Sequence, residues 1–158
     1  MKKFIVFEGL DGSGQSTEAR LLKSFLEERG QSVLLTKEPT IDSEAGKVIR
    51  RALDEKEKMD PLELQKLCAE DRKEHLEKTI IPALEKGIFV ISDRYLYSSL
   101  AYGSSDDIDL QTLIDLNKDF LRPEQVFLLK VRPEVCISRI EKRGTPKTLF
   151  GVIAVLPF

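Results

Sequence analysis

The stretch Gly9-Leu10-Asp11-Gly12-Ser13-Gly14-Gln15-Ser16-Thr17 constrains this chain most, because of what flanks it. Before it, Phe4-Ile5-Val6-Phe7 is a short apolar, β-branched and aromatic run, the pattern of a buried strand. After it, Leu21, Leu22, Phe25 and Leu26 recur at helical spacing over residues 17–29, and Gly30 supplies a stop. Strand, glycine-rich turn and helix in that order make a cradle for phosphate. Gly9, Gly12 and Gly14 let the backbone turn tightly, so that successive N–H groups converge, and the helix N-terminus adds partial positive charge. Ser16 stands where the hydroxyl of such a loop ligates magnesium, while Gln15 stands where the pattern calls for lysine. The cradle is present and its point charge is not. Asp11 would be repelled by phosphates, so it is better suited to accepting a hydrogen bond from a hydroxyl of a second substrate. A glycine turn used for packing alone is the competing reading, and Ser16-Thr17 at this spacing argues against it.

The rest of the chain reads as an alternation of strands and helices. Residues 32–36 (Ser-Val-Leu-Leu-Thr) form a second strand that closes a βαβ unit, and Lys37-Glu38-Pro39-Thr40 leaves its C-terminal end, where open α/β sheets bind ligands. A short helix over residues 46–53 precedes a charged segment. Pro61 then opens a long helix whose apolar side carries Leu64, Leu67, Cys68, Leu76, Ile80, Ala83 and Leu84, with a bend near Pro82 and an end at Gly87. Residues 88–92 are a third buried strand delivering Asp93-Arg94-Tyr95. A Gly/Ser/Asp-rich turn follows over 103–107, then a helix over 110–120, a fourth strand over 125–131 and a helix from 133 to 143. The apolar octet 151–158 reads as a last strand, with the preceding helix as its crossover. The expected fold is α/β: a parallel sheet with helices on both faces, in a single domain spanning 1–158.

Composition narrows the partners. A net charge of −2 gives no bulk attraction to nucleic acid or a membrane surface, so any polyanion must be held by a local cluster. Cys68 and Cys136 lie far apart, which excludes a C-x-x-C zinc or disulfide framework and leaves both as reduced thiols. No signal segment or membrane-length apolar run is present, so a cytoplasmic protein is expected.

Further chemistry clusters at predicted strand ends. Asp93 occupies a Walker-B-like position suited to holding magnesium, and Arg94 offers a planar fork for phosphate oxygens. Lys37, Lys47, Arg50 and Arg72 line the expected cleft. For Lys47 and Arg51 a solvated helix surface is the better reading, for Arg50 the two readings balance, and Arg72 belongs to the site. His75 is the only histidine and has no acid–nucleophile set, which points to a helix surface or capping role. Arg139, Lys142, Arg143 and Lys147 form either a basic lid over a transferring phosphate or a helix end complementing its dipole.

Together these residues resemble the thymidylate kinase family of P-loop nucleoside monophosphate kinases. The likeness rests on Phe7-Glu8-Gly9-Leu10-Asp11-Gly12-Ser13-Gly14 with Ser16-Thr17, then Glu38-Pro39, Gly46-Lys47 with Ile49-Arg50, and Asp71-Arg72. Asp93-Arg94-Tyr95 followed by Ser98-Ser99-Leu100-Ala101-Tyr102 is the most family-specific part, and the match runs to about Phe150. The resemblance implies a three-layer P-loop NTPase fold, phosphorylation of dTMP to dTDP with ATP and Mg2+, and a homodimer. It implies that Asp11 accepts the 3′-hydroxyl of dTMP, Arg94 contacts phosphate, and Arg72 reaches the thymine edge. Tyr102, Ser98 and Ser99 would line the base and sugar pocket, and Glu38 and Pro39 would shape the nucleoside site. Because Gly12 leaves the loop without an arginine, the lid residues Arg139 and Arg143 would supply the catalytic cation.

The departures carry as much information. Besides Gln15, Cys68 stands where the family usually stacks a phenylalanine on thymine, and Gly103 stands where glutamine is usual. The rest of the lid, a further helix and the final strand-helix have no counterpart, so a C-terminally shortened fold is expected, from a truncation, a frame-shifted reading or a short paralogue. An impaired kinase and a catalytically weak nucleotide-binding paralogue with a regulatory role both remain open. A deoxynucleoside kinase is disfavoured by Glu38-Pro39 and Asp93-Arg94-Tyr95.

Overall fold

The computed structural model describes residues 3–54 and 59–143. Strand β1 (Phe4–Gly9) leads through the glycine loop into α1 (Gln15–Glu27) and then β2 (Val33–Lys37). Helix α2 (Glu44–Leu53) is capped by Ser43, whose hydroxyl accepts from the Gly46 N–H, and α3 (Pro61–His75) is capped by Asp60. Strand β3 (Phe89–Asp93) is followed by α5 (Leu96–Ser105), α6 (Leu110–Asn117), β4 (Gln125–Leu129) and α7 (Pro133–Lys142), with α4 (Ile81–Glu85) lying between α3 and β3.

All pairings in the four-stranded sheet are parallel, in the order β2-β3-β1-β4. The βαβ unit expected from β1, α1 and β2 is present, with β3 lying between its two parallel strands. The consequence is functional, because Phe7 sits opposite Asp93 and Lys37 sits opposite Asp93 on the other side. The three C-terminal ends therefore finish side by side at the phosphate loop.

Alternation along β1 decides which face each side chain covers. Phe4 and Val6 enter one core cluster with Leu76, Ile80, Val90, Tyr95 and Leu96, while Phe7 joins Ala19 and Ile91 beneath α1. A third cluster, built on Ile49, Leu53, Leu64 and Cys68, locks α2 to α3. The edge strands β2 and β4 are less covered; Leu128 on β4 is 72% exposed.

Two sequence expectations change at the helices. The bend near Pro82 takes the form of a π turn over Leu76–Ile80, in which the Ile81 N–H reaches back to the Leu76 carbonyl. Proline has no N–H to continue the α ladder, so the helix changes its bonding before it. Of the turn expected over 103–107, residues 103–105 are the last part of α5 and the turn itself falls at Asp106-Asp107, where Asp107 has φ 61°. Gly103 is there for close packing: a Cβ would lie 2.6 Å from Leu113 Cδ2 on α6. The apolar octet 151–158 and Lys147 fall outside the described residues.

Candidate functional site

The phosphate loop takes the conformation its glycines permit. Gly12 and Gly14 have φ of 82° and 109°, in the left-handed region. At Gly12 space matters as much as backbone angle, since a Cβ would lie 2.6 Å from the Cys136 carbonyl oxygen on α7. The family-style reading of Gly12 as a missing arginine thus has a steric cause. Gln15 is buried and does not reach into the cradle; its Nε2 donates to the Gly9 carbonyl at 2.9 Å. The amide spans the loop internally without adding charge. Helix α1 starts at Gln15; the Thr17 N–H donates to the Gly14 carbonyl at 2.9 Å, and the N–H groups ahead of it have no intrahelical acceptor, which leaves them for an anion.

Beside the loop, Ser16 Oγ donates to Asp93 Oδ2, and Lys37 Nζ lies 3.3 Å from the same oxygen. The Asp93 carboxylate is 4% exposed, and its Oδ1 is buried without a hydrogen-bond partner. One hydroxyl and one carboxylate with a free oxygen suit magnesium, a hard cation that takes few protein ligands and completes its shell with water and phosphate. Among the described residues no group of three or more His, Cys, Asp or Glu gathers as a metal cage.

Arg94 is held in a left-handed conformation at φ 73°, with Ser92 Oγ donating to its carbonyl at 2.7 Å. Such a conformation costs a bulky residue roughly 1–3 kcal/mol, so surrounding contacts must impose it. Its guanidinium donates to the Gly9 carbonyl at 3.2 Å, to Ser98 Oγ at 3.0 Å and to Asp11. Glu8, from β1, braces the same corner: its carboxylate accepts from the Tyr95 N–H at 3.0 Å, the Ser98 N–H at 3.3 Å and the Ser98 hydroxyl at 2.6 Å. It thereby caps α5 from another element. Burial raises the Glu8 pKa, against the lowering pull of the Ser98 hydrogen bond and the Arg94 charge.

The acceptor side is built from side chains. Arg72 is 3% exposed, and its Nε donates to Glu38 Oε2 at 2.8 Å, Nη2 to Ser99 Oγ at 3.1 Å and Nη1 to Asn117 Oδ1. Asp71 is 1% exposed and accepts from the Thr40 N–H at 2.8 Å and from the Thr40 and Ser43 hydroxyls, tying the loop after Glu38-Pro39 to the α2 cap. These groups surround a cavity of about 160 Å³ whose walls include Glu38, Gln65, Cys68, Arg72, Ser99 and Tyr102. A cavity of roughly 150 Å³ accommodates benzene, so this one admits a single flat ring. Burial pushes the Cys68 thiol up to about 12 and the Tyr102 phenol up to about 12, so both stay protonated there. A wider cleft of about 600 Å³ opens from Ser16 and Asp93 past Lys37, Pro39 and Arg50.

The structure thus gathers Asp11, Glu38, Pro39, Arg50, Cys68, Arg72, Arg94, Ser98, Ser99 and Tyr102 around one cavity. Arg139 joins the phosphate loop, but as part of the ordered α7: its Nη1 donates to the Gly12 and Ser13 carbonyls, both at 3.2 Å. Arg143 is exposed at the far end of α7. The surface role expected for His75 is wrong: it is 5% exposed and packs against Glu38 and Thr36. Sequence reasoning also missed what Glu8, Asp71 and Asn117 do. Asp71 and His75 lie at i and i+4 on one helix face with Arg72 between, a signal that only burial makes readable.

Comparison with known proteins agrees with this geometry. The Thymidylate kinase family model matches residues 7–151. A protein of Pyrococcus horikoshii named probable thymidylate kinase is 48% identical over 147 residues, covering 90% of this chain and 71% of the relative. The thymidylate kinase of Caldicellulosiruptor saccharolyticus is 41% identical over 147 residues, with the same coverage of 90% and 71%. The crystal structure of thymidylate kinase from Ehrlichia chaffeensis superposes with a TM-score of 0.74 at 31% identity, covering 89% of this chain and 79% of that one. The chain belongs to the thymidylate kinase family.

Proposed function

We propose that this chain transfers the γ-phosphoryl group of ATP to dTMP, giving dTDP and ADP. The observation that carries the reading is the juxtaposition of a phosphate loop and a ring-sized cavity, with Arg94 contacting both the Gly9 carbonyl and Asp11. An oxygen of the acceptor 5′-phosphate attacks the γ-phosphorus while the bond to the β,γ-bridging oxygen breaks and ADP leaves. The chain's part is positioning and charge neutralisation, which dominate phosphoryl transfer. Loop N–H groups hold the donor phosphates, and Arg94 orients the acceptor phosphate. Asp11 accepts from a sugar hydroxyl, and the Arg72 face of the small cavity receives thymine.

Ser16 and Asp93 would hold the magnesium that accompanies ATP, and the ion would neutralise negative charge on the ATP phosphates. With Gln15 uncharged, Lys37 and Arg139, together with Arg94, are cations beside the loop that can offset the transferring phosphoryl. The same family likeness points to a homodimer in the cytoplasm. No helix among the described residues is long and apolar enough to cross a membrane.

Coupled measurement of ADP release with ATP, magnesium and dTMP tests the activity. Turnover that depends on dTMP, with dTDP as product, is expected. Absence of dTMP-dependent ADP, or a preference for thymidine over dTMP, would overturn it.

A further inference from the structure

His75 stands outside the steps just described, yet it is a buried polar group, 5% exposed. Its ring is wedged between two elements: Nδ1 lies 3.1 Å from Glu38 Oε1, and Nε2 lies 2.6 Å from Thr36 Oγ1 on β2. The hydrogen-bond roles follow from what each partner can do. An ionised carboxylate only accepts, so Nδ1 carries the proton towards Glu38. In the neutral ring Nε2 then accepts, and the Thr36 hydroxyl donates to it. Both Glu38 oxygens are thereby assigned, Oε1 to His75 and Oε2 to Arg72 Nε.

Arg72 is the end of this chain of contacts. A guanidinium has five N–H donors. Glu38, Ser99 and Asn117 each take one, which leaves two for the cavity that Arg72 lines. Where those two point depends on the orientation of the Nε–Glu38 bond, since a planar fork turns as a unit. Glu38 leaves β2 in the loop before Pro39, and α3 holds its carboxylate at both oxygens, with Arg72 on the first. The group that grips its second oxygen is His75.

We propose that His75 is a positioning residue for acceptor recognition: by clamping Glu38 from the Thr36 side it sets the direction in which Arg72 presents its remaining N–H groups to the base cavity. The role rests on the acceptor reading above. It acts on the base through Arg72; the ring also borders the wider cleft that opens from Ser16 and Asp93, but its hydrogen bonds go to Glu38 and Thr36.

The test separates acceptor from donor. In His75→Phe the ring shape is kept and both hydrogen bonds are lost. KM for dTMP is expected to rise about tenfold, the equivalent of one hydrogen bond to a charged group, while kcat and KM for ATP stay within about twofold of wild type. His75→Gln, whose amide can still donate to Glu38, is expected to recover most of the dTMP affinity. Thr36→Val is expected to fall between the two, and these milder variants carry the test if the phenylalanine variant does not fold. Calorimetric titration of dTMP into wild type runs alongside. Binding by wild type with an unchanged dTMP KM in His75→Phe overturns the positioning role, as does a parallel rise in both KM values or failure of His75→Gln to recover affinity. Absence of dTMP binding by wild type overturns the acceptor reading itself.

Discussion

The two halves of the site are made of different material. On the donor side the loop from Gly9 to Gln15 presents backbone amides, and apart from the Arg94–Asp11 pair its side-chain contacts are straps that end on its own carbonyls: Gln15 and Arg94 on Gly9, Arg139 on Gly12 and Ser13. On the acceptor side the recognition surface is a buried polar network through Thr36, His75, Glu38, Arg72, Ser99 and Asn117. A backbone cradle tolerates changes of side chain as long as its conformation survives. A buried ionic network does not, because each truncated member leaves its partner's charge uncompensated.

The sharpest way to break that contrast is on the acceptor side. Arg72→Leu is expected to lower stability by about 3–5 kcal/mol, the usual result of leaving a buried carboxylate without its cation. Denaturant melts would show this as a fall in midpoint with dTMP binding lost as well. If Arg72→Leu instead costs under about 1 kcal/mol, the network is not a load shared between charges.

On the donor side, Gln15→Lys should change rate far more than structure. We expect kcat to rise by about 10²–10³-fold with a smaller change in KM for ATP, since a charge aimed at the transferring phosphoryl acts in the transition state. Single-turnover kinetics of the two proteins would measure it. An unchanged kcat would mean that Lys37, Arg94 and Arg139 already supply the charge.

Gly12→Ala probes the loop's shape. The φ of 82° and the 2.6 Å approach to the Cys136 carbonyl predict a loss of about 1–3 kcal/mol, read by thermal melting, together with weaker ATP binding.

The smallest effect concerns pH. Glu8 has a folded pKa raised by burial above its ordinary 4.5, so the folded state binds its proton more tightly than the unfolded chain does. Its contribution to stability is fully present below 4.5 and is lost as pH rises through the raised value. Glu8→Gln keeps the shape and removes the titration, so melting temperature should fall less steeply over that window than in wild type. Identical slopes in the two proteins would exclude Glu8 as the source.

The same contrast explains what was legible in the sequence. Glycines at fixed spacing after an apolar strand declare a backbone conformation, so the loop, Ser16 and the parallel α/β architecture could be read directly. Strand order could not: β2 and β3 have similar apolar runs, and only the observed register shows that Asp93, rather than β2, adjoins β1. His75 and Asp71 look like surface residues on a charged helix, and their burial depends on Glu38 and Thr40, more than thirty positions away. Gly103 carried a turn signature in its neighbours, but it lies inside α5, where the Leu113 side chain of α6 packs closely against it.

The π turn before Pro82 also sets an angular relation. One extra residue in a turn shifts everything beyond it by about 100° around the helix axis relative to an unbroken α-helix. Beyond the turn, that phase brings Ala83 of α4 into the same core cluster as Leu76 and Ile80, while His75 before it faces the site. Deleting a single residue from Leu76–Ile80 would restore a regular helix and swing the upstream or downstream half to the wrong compass point. This segment should therefore accept substitutions readily and changes of length hardly at all.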